Sequence, residues 1–210
     1  MNLLECLVGI ALCTILLNPL LQTSAELLRK QIQYEKTQSL ISEAERALEL
    51  MGRAIRMAGY RHIKSASRNI NSLDRHSAIQ IQQQTGYRGS DTLLIRHELS
   101  DGLDFDCIGN ALTSDRTKKD LAFQGFLVDR QAGVAKGKKV NGGSLICQSL
   151  DRQGRLQNTT LMNGVDKLQI EELASEVKSG QRAFRVRLEM TDGMGLQREF
   201  TRTFSTRNLL

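Results

Sequence analysis

The chain has 210 residues, of which 40% are hydrophobic and 25% charged. That balance excludes a disordered chain and a polytopic membrane protein, and it leaves room behind an apolar head for one ordinary globular domain with its own core. The formal net charge of +6 comes from 29 basic and 23 acidic residues spread along the chain. This favours a solvated face of mixed sign over a dedicated nucleic-acid surface, the alternative to which short basic runs such as Lys136-Gly137-Lys138-Lys139 point.

The chain opens on an apolar run with one acidic residue near its head. Glu5 is followed by an uncharged stretch from Cys6 to Ala25. That length suits a single bilayer span. The run has neither a basic segment before it nor a small-x-small cleavage site, so it does not read as an ordinary secretory signal. A carboxylate in such a segment is expensive to desolvate and is a functional candidate by default. In the first turn of a helix the macrodipole favours its charge, and an α-amino group, its own or a neighbouring copy's, lies within reach. Cys6 and Cys13 are two helical turns apart, too far to bridge within one helix, and read as small packing residues. Pro19, the one proline, removes a helical hydrogen bond, so a kink or local melting of the helix is expected there.

Beyond Pro19 the pattern becomes amphipathic. Ile41, Ala44, Leu48, Met51, Ile55 and Ala58 recur at spacings of three and four, with Leu40, Ala47 and Ala54 widening the stripe on one side. A stripe that broad is the seat of a sheet rather than the seam of a two-helix zipper. Gly59 follows the last stripe residue as a helix stop. The region from Leu3 to Ala58 thus reads as one long helix of roughly 80 Å. Three parts are expected: a transmembrane or bundle-core helix over 1–25, an amphipathic continuation over 26–59, and a β-rich domain over 60–210.

Arg61–Ser77 reads as a polar loop. Strands are expected at Ala78–Gln83, Asp91–Glu98, Phe105–Ile108, Leu121–Asp129, Ser144–Leu150, Leu156–Leu161, Lys167–Glu172, Ala183–Thr191 and Leu196–Thr206. The last two, joined by Asp192-Gly193-Met194-Gly195, form the clearest hairpin, with Phe184, Val186, Leu188 and Met190 on one face. Asn110–Lys119 and Ala132–Gly143 are the most linker-like stretches. An antiparallel sheet laying one apolar face on the second half of the helix satisfies both partners, so the fold class is α+β. Cys107 and Cys147 lie in strand-like segments, and in an oxidising compartment they are the natural disulfide.

No enzymatic site is visible. His62, His76 and His97 keep no metal-ligand spacing with a cysteine, and Asp101, Asp104 and Asp106 lack the glycine and distal glutamate of an EF-hand. There is no phosphate-binding glycine loop and no nucleophile motif. No cofactor and no metal are expected.

Three places carry a family resemblance. The head, Leu3-Leu4-Glu5 before an apolar helix, is similar to a mature pilin N-terminus. The helix end, Met51-Gly52-Arg53-Ala54-Ile55-Arg56-Met57-Ala58-Gly59-Tyr60-Arg61, has the arginine-rich, Ala-Gly-Tyr character of PilW-like proteins. The third is the order Ser90-Asp91-Thr92-Leu93-Leu94-Ile95, Cys107-Ile108-Gly109-Asn110, Leu145-Ile146-Cys147 and Asn163-Gly164-Val165-Asp166-Lys167-Leu168-Gln169-Ile170. The chain resembles the type IV pilin superfamily, in particular minor pilins of the PilW type and the related J-type pseudopilins of type II secretion. It departs from the pattern in having Met1 where the family usually has Phe, and Glu171-Glu172 where an aromatic-Gly pair often follows the strand.

The resemblance implies a pilin-like fold and a non-enzymatic filament subunit that primes pilus assembly at the tip; the alternatives are a minor pseudopilin of type II secretion with the same fold and, of another class, an adhesin or DNA-uptake receptor at the pilus tip whose basic run Lys136–Lys139 contacts ligand. It implies processing by a prepilin peptidase, with Met1 as the N-methylated first residue. It further implies that Glu5 pairs with the first residue of another pilin, and that Met1 is this chain's own residue for subunit pairing. The implied partners are other minor pilins, the major pilin and the inner-membrane assembly platform. The implied location is the inner membrane of a Gram-negative bacterium with the β domain in the periplasm, and then the pilus.

Overall fold

The computed structural model describes residues 3–61, 78–118, 121–131, 142–173, 181–193 and 195–208. Helix α1 (Leu3–Met57) is followed by seven strands: β1 (Ile79–Gln82), β2 (Thr92–Glu98), β3 (Leu121–Asp129), β4 (Gly143–Leu150), β5 (Leu156–Leu173), β6 (Ala183–Thr191) and β7 (Gln197–Ser205). The strands form one antiparallel sheet in the order β1-β2-β3-β4-β5-β6-β7, a meander in which each strand pairs with its neighbour in sequence. The chain divides into two compact units, Met1–Ile41 and Ser42–Leu210.

The first unit is helix alone. Its large apolar side chains lie open, Leu3 at 82% and Leu16 at 66% exposure among them. It belongs to the one helix among the described residues that is long and apolar enough to cross a membrane, with a mean hydropathy of 1.8 over its most apolar stretch. Local melting at Pro19 is not seen: α1 continues through it. A proline in mid-helix lacks one donor, but a single lost bond does not end a helix whose neighbours keep theirs. The hydroxyl of Thr23 donates to the Pro19 carbonyl at 2.5 Å.

In the second unit the remaining turns of α1 are buried on one side. Ala44, Ala47, Leu48, Met51, Ile55 and Ala58 are at most 1% exposed, the side the spacing of three and four selects. Gly52 permits close approach to β7, since a β-carbon there would collide with the Phe204 ring. Glu45 on the helix pairs with Arg202 of β7, and the Asn208 amide donates to the Arg56 carbonyl at 3.0 Å. The helix ends as its glycine predicts: Gly59 has φ of 70°, and its N–H donates to the Arg96 carbonyl. From β6, Phe184, Val186, Leu188 and Met190 are all buried, and β6 and β7 pair from Ala183↔Ser205 to Thr191↔Gln197, the expected hairpin.

Two strand expectations are corrected. Phe105–Ile108 is not a strand. It contributes one isolated bridge, Phe105↔Ala111, because the Asp106 carboxylate takes the N–H groups of Ile108 and Asn110 and curls the segment into a turn. Leu156–Leu161 and Lys167–Glu172 are one strand, β5. Its first half pairs with β4 and its second with β6, and the changeover lies at Val165 beside a bulge and Gly164, which has φ of 79°. The polar loop expected before β1 lies almost wholly outside the described residues, as does most of Ala132–Gly143.

Candidate functional site

Glu5 lies in the first turn of α1, where exposed backbone N–H groups favour an anion. Its side chain and Met1 lie outside the described residues, so their pairing rests on the sequence. The helix around Glu5 has the character the sequence predicts, apolar on every side and open. Cys6 and Cys13 are free and exposed thiols on it. An apolar surface of this extent needs a partner in lipid or among other helices.

The second candidate region lies within the sheet-containing unit, where a short segment is stapled to β4. Cys107 and Cys147 are joined, with a sequence separation of 40 and Cα atoms 6.0 Å apart. This is the pairing the cysteine count favoured, and it is compatible with an oxidising compartment. The segment preceding the bridge is held by its carboxylates. Asp104 accepts from the Ser100 N–H at 2.6 Å and its hydroxyl at 2.7 Å, while buried Asp106 accepts from Ile108, Asn110 and Arg116. These two aspartates therefore organise a loop. No cluster of three metal-ligating side chains occurs among the described residues. Leu103 and Phe105, at 79% and 53% exposure, stand out from this stapled loop. They border a cleft of about 290 Å³ whose other side is formed by Arg53 and Met57 of α1.

His97 lines the same cleft but is itself only 1% exposed. Its Nδ1–H donates to the Glu98 carbonyl at 2.9 Å, and its Nε2 has no partner. Burial is the main cause of a pKa below the ordinary histidine value, partly offset by that hydrogen bond and by the Asp104 charge. The folded state thus resists a proton that the unfolded chain accepts near pH 6.5. Stability contributed by neutral His97 is present above that pH and is lost as pH falls below it. The urea midpoint of the wild type should therefore drop more steeply between pH 7 and pH 5 than that of His97→Leu. Parallel slopes would remove His97 from the account.

Asp91 is a carboxylate whose role the sequence did not reveal. It is 8% exposed and accepts from the Ile170 N–H at 2.7 Å and the Gln84 N–H at 2.9 Å, joining the start of β2 to β5. His62, His76 and the basic run Lys136–Lys139 lie outside the described residues.

Comparison with known proteins returns no match. No family model, no curated protein and no solved structure is significantly similar to this chain.

Proposed function

We propose that this protein is a minor pilin of the PilW type, a non-enzymatic subunit that helps to initiate a type IV pilus and sits at its tip. The observation that carries the reading is the exposed apolar helix with Glu5 in its first turn, in a chain whose later helical turns seat an antiparallel sheet. A helix that is apolar all round is not stable in water and calls for a membrane, then for a bundle of like helices. In such a bundle an unpaired carboxylate costs several kcal/mol, whereas one paired with the N-terminal amine of an adjacent subunit sets the axial register. The Cys107–Cys147 bridge supports a periplasmic setting for the sheet-containing unit. The proposed partners are other minor pilins, the major pilin and the assembly platform, with a prepilin peptidase acting beforehand.

The test is a pull-down of C-terminally tagged protein from detergent-solubilised host membranes, with mass spectrometry of what accompanies it. Minor pilins and pilus assembly proteins are expected, and Glu5→Ala should lose most of them while retaining membrane insertion. Secretion pseudopilins in their place would move the protein to type II secretion. Undiminished recovery by Glu5→Ala would sink the pairing.

A further inference from the structure

We propose that the face of the sheet opposite α1 carries a binding site for a single-chain aliphatic carboxylate. The inference is independent of the filament reading. It rests on a difference between the two halves of that face. Across β5, β6 and β7 the outward side chains are charged and paired, Arg185 with Glu171 at 3.0 Å and Arg187 with Glu199 at 2.9 Å. Across β2 to β5 the pairing register instead builds a row that is cationic at one end and apolar along the rest. Arg96 stands opposite Phe123, and Leu150 opposite Leu156. Gly125 stands opposite Gln148, so Phe123, two residues earlier, is level with Leu150. Four strands at a spacing of about 4.8 Å make this row roughly 14 Å long.

The row is the floor of a cleft of about 420 Å³, within the range of small-molecule sites. Leu121 and Lys118 line it from the entry to β3, and Gly154 lines it from the β4–β5 turn. These two walls approach each other closely, a β-carbon on Gly154 falling 3.6 Å from the Thr117 carbonyl. Leu150 is 5% exposed at the bottom, while Leu156 is 55% exposed at the side.

The chemistry of the lining selects the ligand. Arg96 and Lys118 have no ion-pair partner among the described residues. Glu98, opposite Leu121, is not part of the lining. The backbone groups of Lys118 and Leu121 bond each other at 2.9 and 3.2 Å. The cleft therefore offers two cationic donors and apolar surface but no side-chain hydrogen-bond acceptor in its lining. A peptide laid there would bury its own amide N–H groups without partners, which is costly. An aliphatic carboxylate has one charged end for the cations and a tail that asks only for apolar contact.

Full-length protein in nanodiscs of zwitterionic lipid, labelled at its leucine methyls, would be titrated with decanoate. Saturable shifts are expected at Leu121, Leu150 and Leu156, with the buried Leu93, Leu145 and Leu188 unmoved. Decan-1-ol, and decanoate against the Arg96→Gln, Lys118→Gln double variant, should each bind about tenfold more weakly. Should the variant disturb the core methyls, the comparison of decanoate with decan-1-ol decides. Absence of saturation, or equal affinity for the alcohol, would overturn the proposal. So would displacement of decanoate by a short acidic–aliphatic peptide, which would reassign the cleft to a protein partner.

Discussion

Replacing both cysteines of the bridge, as Cys107→Ala with Cys147→Ala, is expected to lower the unfolding free energy of the sheet-containing unit by about 4 kcal/mol. The bridge closes a 40-residue separation, and the chain-entropy account of a loop that size predicts a loss of that order. Local packing compensates little. Leu112 and Cys107 are the buried apolar residues of the stapled segment, and the rest depends on hydrogen bonds to Asp104 and Asp106. Without the bridge, Leu103 and Phe105 should lose their fixed place beside the Arg53–Met57 turn. Urea unfolding of the full chain in nanodiscs, followed by sheet circular dichroism, measures the effect. An unchanged midpoint would mean that the aspartate-centred turns hold the loop unaided. A dithiol reductant should reproduce the loss in the wild type and leave the double variant unaffected, since Cys6 and Cys13 are already free.

Met51→Ala is expected to cost about 3 kcal/mol in the same assay, whereas Leu16→Ala should stay within about 0.5 kcal/mol. Both residues belong to α1, and both changes remove a large apolar side chain from a helix. Met51 is fully buried in the sheet-containing unit, where truncation leaves a cavity among close-packed neighbours. Leu16 is 66% exposed in its own unit, so truncation there opens no cavity. Equal effects at the two sites would contradict the division of the chain between Ile41 and Ser42.

Much of this architecture could be read directly from residue order. The stripe from Ala44 to Ala58 repeats at helical spacing and is the buried side of α1. Phe184, Val186, Leu188 and Met190 alternate and are buried, and the Gly-containing turn after Thr191 closes the hairpin. Gly59 ends the helix because it adopts a positive φ that other residues disfavour. In each case the determining interaction is local, between residues a few positions apart.

What local patterns could not decide was the outcome of competition between distant partners. Leu156–Leu161 and Lys167–Glu172 read as two separate strands, yet β4 and β6 hold the chain on either side of Gly164 and draw it into one continuous β5. Phe105–Ile108 has the composition of a strand, but Asp106 captures its N–H groups before a neighbouring strand can. The row Arg96, Phe123, Leu150 and Leu156 has no sequence signature, because register alone brings together residues from four strands. Periodicity records which face of an element is apolar. Pairing depends on hydrogen bonds and side-chain contacts between segments far apart in the chain, and those exist only once the sheet has closed its register.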